Sequence, residues 1–316
     1  MEGTNRDPFE RLYEAMGAEL IQEARDHKVP ALRFTASTVG NCPWRQWYNL
    51  SGYRPAPLSP EAKVRMIQGE IDHNLIRNLF RRYGIEVRGV EFFVDEHSDY
   101  EFVDRNYLGW PVWETMSVRK TVSVGMPDGL TDTIELSARA DGVVDTPEGE
   151  AIFEFKGMGQ WMFKHLQSAA TDGNVLQRLG ASHRYYVYQM QVSMFLFDKK
   201  WAWLGTKHRS DAQYGLEFPV EDSGIGATVR RGVLLAYNEE QVREIFQVLA
   251  AIQRCVKRGE PPAREQRELK GSGMCKNCEY YYACHGADER KKKGLEPVVL
   301  YPGPQFEEHH EQEKKT

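Results

Sequence analysis

Residues 138–157 read ARADGVVDTPEGEAIFEFKG. Val143 and Val144 close one strand. Pro147, Glu148 and Gly149 supply a turn, and Ile152, Phe153 and Phe155 are β-formers of a second strand. Side chains alternate along a strand, so Glu154 and Lys156, two apart, leave the same face. With Asp141 in the first strand, three charged groups converge on one side of a hairpin whose other residues favour burial. Buried charge is costly unless it is paired or bound to metal. The expectation is that Asp141 and Glu154 hold a divalent cation, that Lys156 stands beside them, and that Asp145, next to the turn, faces solvent.

Asp-x12-Glu-x-Lys offers hard oxygen ligands of the kind Mg²⁺ or Mn²⁺ prefers. A metal there would lower the pKa of a bound water and offset the charge that builds on a phosphate during hydrolysis, with the Lys156 ammonium orienting that water. The same spacing also arises in solvated edge hairpins. Val143, Val144, Ile152, Phe153 and Phe155 argue instead for a central strand pair.

The rest of the chain alternates helices and strands. Residues 8–26 place Phe9, Leu12, Met16, Leu20 and Ile21 at helical spacing. Residues 33–53 carry Cys42 among Trp44, Trp47 and Tyr48; Thr35 or Ser37 is the expected cap of a short helix and Pro43 its break. Ser59-Pro60-Glu61 starts a helix that runs to about Tyr83 and stops at Gly84. Residues 85–94 and several segments between 110 and 137 read as strands. After the hairpin, 160–170 and 182–197, the latter capped by Ser182, read as helices. Residues 200–207, 213–220 and 229–235 read as strands, and Asn238 caps a long helix ended by Gly259. The pattern is α/β.

At 316 residues with 41% hydrophobic content, the chain can bury a sizeable core as one large domain or two smaller ones. No domain-sized linker interrupts it. A single domain over 1–300 is expected, with a helical part (1–84), a core (85–258), a cysteine-bearing loop (259–290) and a polar, disordered tail (301–316). A net charge of −5 does not advertise a nucleic-acid binder, yet only the local field at a cleft matters. No apolar run approaches the roughly 18 residues of a membrane helix. The start, MEGTNRDPFERLYE, lacks the basic and apolar regions of a secretory signal. A cytoplasmic, reducing setting is therefore expected, where five cysteines bind metal or catalyse rather than form disulfides. No G-x4-G-K-[ST] motif signals a fused ATPase.

Cys275, Cys278 and Cys284 form C-x2-C-x5-C, and Cys42 is the distant fourth thiol. Four thiolates suit zinc or an iron–sulfur cluster. Zinc sites usually pair two short units, so one cluster of three plus a single favours iron–sulfur. His285 could complete a local zinc knuckle, but its neighbour Cys284 makes joint ligation strained. Cys255 reads as an ordinary helix cysteine. His73 shares a helix face with Met66, Gly69, Ile76 and Phe80; it is either a core histidine or a ligand, with Gly69 leaving room for a close neighbour. Gln189 and Gln191 sit among Tyr, Met and Phe, and a buried glutamine needs partners. Tyr185, Tyr186 and Tyr188 could stack on bases or fill the core.

Taken in order, Ser37-x4-Cys42-Pro43, Gly69-x3-His73, Asp141, Glu154-Phe155-Lys156, Gln191 and the terminal C-x2-C-x5-C resemble the RecB-type PD-(D/E)XK nucleases with an iron–sulfur cluster. Among them are the CRISPR-associated exonucleases and their phage relatives. The resemblance spans about residues 35–285. It implies a restriction-endonuclease-like core, a mixed central sheet flanked by helices, with a [4Fe–4S] cluster on Cys42, Cys275, Cys278 and Cys284 joining the N- and C-terminal segments. It implies that His73, Asp141, Glu154 and the Phe155 carbonyl bind catalytic Mg²⁺ or Mn²⁺, that Lys156 activates the attacking water and that Gln191 positions it, with Gln189 in reserve. The implied activity is exonucleolytic hydrolysis of DNA, often of single strands from an end, in repair, recombination or phage- and CRISPR-related processing. Phe195 stands where the family has a tyrosine. Arg81, Arg82 and Lys291 to Lys293 are possible DNA contacts. The competing readings are a non-catalytic DNA-binding or assembly subunit and a restriction-type endonuclease.

Overall fold

The expected hairpin forms: Gly142–Thr146 pairs antiparallel with Gly149–Met158, placing Val143 opposite Ile152. The computed structural model describes residues 8–26, 31–88, 104–105, 111–112, 117–171, 177, 179, 183–208, 217–218, 230–263, 275 and 278–285. In chain order the elements are α1 (Pro8–Arg25), β1 (Phe34–Thr35), α2 (Pro43–Leu50), α3 (Pro60–Arg82), β2 (Asp104–Arg105), β3 (Pro111–Val112), β4 (Ser117–Gly125), β5 (Thr131–Arg139), β6 (Gly142–Thr146), β7 (Gly149–Met158), α4 (Gln160–Thr171), α5 (Arg184–Phe197), β8 (Trp201–His208), β9 (Glu217–Phe218), β10 (Arg230–Arg231), β11 (Val233–Ala236), α6 (Glu239–Arg258) and α7 (Tyr281–His285). Among the described residues no helix is long and apolar enough to cross a membrane.

Two compact units divide the chain. One comprises Met1–Arg33, Asn41–Ile67 and Val248–Thr316; the other comprises Phe34–Gly40 and Gln68–Gln247. In the second unit, β11-β8-β7-β6 form a mixed sheet in which β7 runs parallel to β8, while β6 and β11 run antiparallel to their neighbours. A separate sheet orders β1-β5-β4, with β1 parallel to β5. Strand β7 is buried on both faces. Ile152 and Met158 pack with Phe163 and Leu166 of α4 and with Val187, Met190 and Met194 of α5. Phe153 and Phe155 pack with Ile76 and Phe80 of α3. A strand covered on both sides needs apolar residues at odd and even positions alike, which is why 151–155 is nearly continuous in them. Glu154 is the charged exception.

Local chemistry sets the element ends. The Asn238 side chain accepts the Gln241 N–H at 3.0 Å, capping α6 as expected. Gly84 and Gly259, just past α3 and α6, have φ of 72° and 69°, the left-handed conformation that glycine adopts without steric cost. The 33–53 stretch departs from expectation. Pro43 begins α2 rather than breaking a helix, with Cys42 at the N-cap, because a first-turn residue has no use for the N–H that proline lacks. The Thr35 and Thr38 hydroxyls close the turn after β1. The expected Ser182 cap, residues 89–94 and residues 213–216 lie outside the described residues; Arg88 bridges to Val143.

In the first unit, α2 is tied to residues 278–285. Tyr48 stacks on Tyr280 with centroids 5.6 Å apart and planes 13° apart, and its hydroxyl donates to the Ala283 carbonyl at 3.0 Å. Arg45 pairs with Glu279 at 3.0 Å. Cys42, at the start of α2, is thereby carried to the C-terminal cysteines.

Candidate functional site

Asp141 lies between β5 and β6, and Glu154 and Lys156 lie on β7. Lys156 Nζ is 2.5 Å from Glu154 Oε1, as their shared strand face requires. Asp141 Oδ2 accepts the Phe155 backbone N–H at 2.7 Å, which ties the two strands at the site. Both carboxylates are buried. Burial alone would raise the pKa of Asp141, but His73, Arg77 and Lys156 outweigh it and hold the group well below the usual carboxylate range. Burial wins at Glu154: its pKa is raised, with Lys156 opposing and Asp141 reinforcing the shift. Neighbouring acids driven in opposite directions are a recurring arrangement at acid–base centres.

His73, on α3, reaches the site: its Nδ1 is 3.3 Å from Asp141 Oδ1, and its ring meets Phe155 edge-on at 5.6 Å. Gly69 is not what admits it, since a Cβ there would meet no heavy atom within 4 Å. Gln191, the preferred glutamine, is not brought to the carboxylates. Gln191 donates to the Ala236 carbonyl and accepts the Asn238 N–H, each at 2.8 Å, so its amide staples the end of β11 to the start of α6. Gln189 enters the site, donating to Glu154 Oε1 at 2.7 Å. Phe195 packs edge-on against Phe246. Asp145 faces outward and pairs with Arg88 at 2.7 Å. Arg82 is exposed, whereas the Arg81 side chain and Lys291 to Lys293 lie outside the described residues.

Two groups escaped the sequence. Arg77, with a side chain 3% exposed, donates from Nε to the Asp141 carbonyl at 3.2 Å and reaches Oδ1 at 3.4 Å. Its place four residues after His73, on the same helix face, was the available signal. Lys207 on β8 pairs with buried Asp72 on α3, and nothing local links positions so far apart. A cavity of about 360 Å³, lined mainly by Ile76, Phe80, Val144, Phe153, Phe155 and Trp203, lies on the face of β7 opposite Glu154 and Lys156. It is therefore not where the carboxylates act.

Two buried carboxylates and an imidazole are right in kind for a hard divalent ion. Their countercharges are side chains, Arg77 at Asp141 and Lys156 at Glu154. Among the described residues no group of three or more His, Cys, Asp or Glu side chains stands close enough together to hold a metal ion as placed. The same applies to the cysteines. Cys42 and Cys275 are buried, and Cys278 and Cys284 half-buried, all in one unit. Cys278 and Cys42 are near enough to interact electrostatically. His285, set aside in the sequence, has Nε2 3.0 Å from Cys275 Sγ. The donors suit a soft metal centre in kind.

No family model and no curated protein matches the chain. Among solved structures it is similar to SSO0001, at 12% identity over 86% of this chain and 96% of that one, with a TM-score of 0.38. It is also similar to LHK-Exo, an alkaline exonuclease from Laribacter hongkongensis. Against that protein's complex with dAMP the identity is 16% over 79% of this chain and 93% of the other, with a TM-score of 0.38. A further LHK-Exo structure gives 12% over 78% and 93%, with a TM-score of 0.36.

Proposed function

We propose that the chain is a metal-dependent nuclease that hydrolyses DNA phosphodiester bonds, working on single strands from an end. The observation that carries this reading is the buried Asp141 and Glu154 pair with Lys156 bonded to Glu154 on one face of the β6–β7 hairpin. A Mg²⁺ or Mn²⁺ ion, held by Asp141, Glu154, His73 and the Phe155 carbonyl, would supply an activated water and offset phosphate charge. The other tasks fall to the chain itself. Asp141, kept ionised by its cationic neighbours, is the fixed anion. The Lys156 ammonium orients the attacking water and lends positive charge to the phosphate. Gln189 holds Glu154 Oε1 in place. Cys42, Cys275, Cys278 and Cys284 would carry a [4Fe–4S] cluster as a staple; the docking of α2 on residues 278–285 supports that reading.

The test is incubation of purified protein with end-labelled single-stranded DNA and Mg²⁺ or Mn²⁺, beside Asp141→Asn and Glu154→Gln. Each variant should lose on the order of 10³-fold in rate, since charge stabilisation by a bound metal contributes several kcal/mol and about 1.4 kcal/mol is tenfold. Activity surviving both substitutions sinks the site. Linearised closed circles would point to an endonuclease, and binding without cleavage under any divalent ion would point to an assembly subunit.

A further inference from the structure

We infer that a run of aromatic rings leading from Lys156 to Trp161 is a base-stacking track for single-stranded nucleic acid. This rests on the nuclease reading above and extends it to how the strand is held. The track begins at the site. Lys156 Nζ is 5.7 Å from the centroid of the Tyr186 ring. Tyr186 packs against Tyr185 at 4.2 Å and lies nearly parallel to His183, with planes 9° apart at 6.1 Å. His183 is itself buried, so it backs the exposed rings rather than meeting a base, and His165 is near enough to act on it electrostatically. His165 stacks face to face on Trp161, with centroids 5.2 Å and planes 5° apart. Trp161 is 72% exposed.

Chain topology explains the placement. α4 starts two residues after β7 ends, so the first turn of α4, with Trp161, lies next in the chain to the strand end that carries Lys156. α5 begins at Arg184, setting His183, Tyr185 and Tyr186 at its first turn. The tyrosines are held from behind. A Cβ on Gly40 would stand 2.3 Å from Tyr185 Cα, so only glycine permits that approach. An indole left mostly in water, yet fixed on one face by a parallel imidazole, is a rigid platform with area to offer. A base in a duplex has its faces covered by its neighbours, so such a platform selects unstacked bases. Lys164, three residues along α4 from Trp161, and Arg184 on α5 are exposed cations suited to the phosphates of the same strand.

The experiment measures fluorescence anisotropy of a labelled oligothymidylate with the full chain in EDTA, where no cleavage occurs. Trp161→Ala should weaken binding by about 5- to 150-fold, the range for one base–aromatic stack, and Trp161→Phe should restore most of it. An oligonucleotide with abasic nucleotides should bind both proteins alike. In the cleavage assay Trp161→Ala should raise KM and leave kcat. The inference fails if Trp161→Ala binds as the wild type does, or loses affinity equally for abasic DNA. If the wild type cleaves and the variant is unchanged, the track alone is wrong. If the wild type neither binds nor cleaves single strands, the nuclease reading falls with it.

Discussion

Gln189 stands 2.7 Å from Glu154, while Gln191, two residues further along the same helix, turns its amide to the β11–α6 junction. Residues two apart on an α-helix lie about 200° apart around its axis, so the two amides serve opposite faces. Removing them should separate function from stability. Gln189→Ala should lower turnover by about 10- to 100-fold, as loss of a partner to a metal ligand does, with little change in melting. Gln191→Ala should cost about 1–3 kcal/mol of stability by removing two hydrogen bonds, to the Ala236 carbonyl and from the Asn238 N–H, each worth about 0.5–1.5 kcal/mol, and should spare turnover below the melting temperature. Urea titrations beside single-turnover rates decide it; the reverse pattern would return Gln191 to the site.

Arg77 neutralises Asp141 in a place where water cannot. Arg77→Ala leaves a buried carboxylate without its strongest permanent countercharge, which costs about 3–5 kcal/mol. A ligand that binds only the folded state adds stability, so Mg²⁺ should restore part of the loss. Chemical denaturation with and without Mg²⁺ measures both. A variant as stable as the wild type in EDTA would show that Asp141 is not buried as placed.

Burial, with His165 as the second cause, holds the pKa of His183 below its ordinary value. The unfolded chain takes up this proton at about 6.5, the folded chain only at lower pH. Stability is therefore full above about pH 6.5 and falls as pH drops through the window toward the depressed folded pKa. The slope contributed is at most about 1.4 kcal/mol per pH unit. Melting curves from pH 8 to 5 should show that slope, and His183→Gln should flatten it. An unchanged slope would locate acid sensitivity elsewhere.

Burial pushes the Cys278 thiol up to about 11, so at neutral pH it is protonated unless a metal claims it. Protein prepared without oxygen should carry iron and sulfide, and Cys278→Ala should lose both together with melting temperature, since metal binding and folding are coupled. Stoichiometric zinc with no iron would overturn the cluster. It would favour a Cys and His set that includes His285, which already touches Cys275.

Gly40 meets backbone, not a yielding side-chain tip. Gly40→Ala should therefore displace the first turn of α5, at a cost of about 1–3 kcal/mol from overpacking. Thermal melts compare it with Gly69→Ala, whose new methyl meets nothing. Equal melting points for the two would remove the close contact between the turn and α5.

Much of this protein was legible locally. The hairpin, the Asn238 cap and the glycine ends of α3 and α6 follow from turn chemistry, alternation and φ preference, which act within a few residues. So does the pairing of Glu154 with Lys156, because two residues on one strand must share a face. The role of Pro43 was misread because proline marks both a helix start and a helix break, and only the course of the chain before it distinguishes them. The choice between Gln189 and Gln191 required knowing how α5 is rotated against β7. The Asp72 and Lys207 pair, and Cys275 beside His285, depend on packing between segments that carry no sign of each other. The order of residues alone determined which side chains could act, the two carboxylates, the lysine, the histidine and the cysteines. Tertiary structure decided which of them meet and which cations balance them, because burial and distance, not spacing, set the energy of a charge.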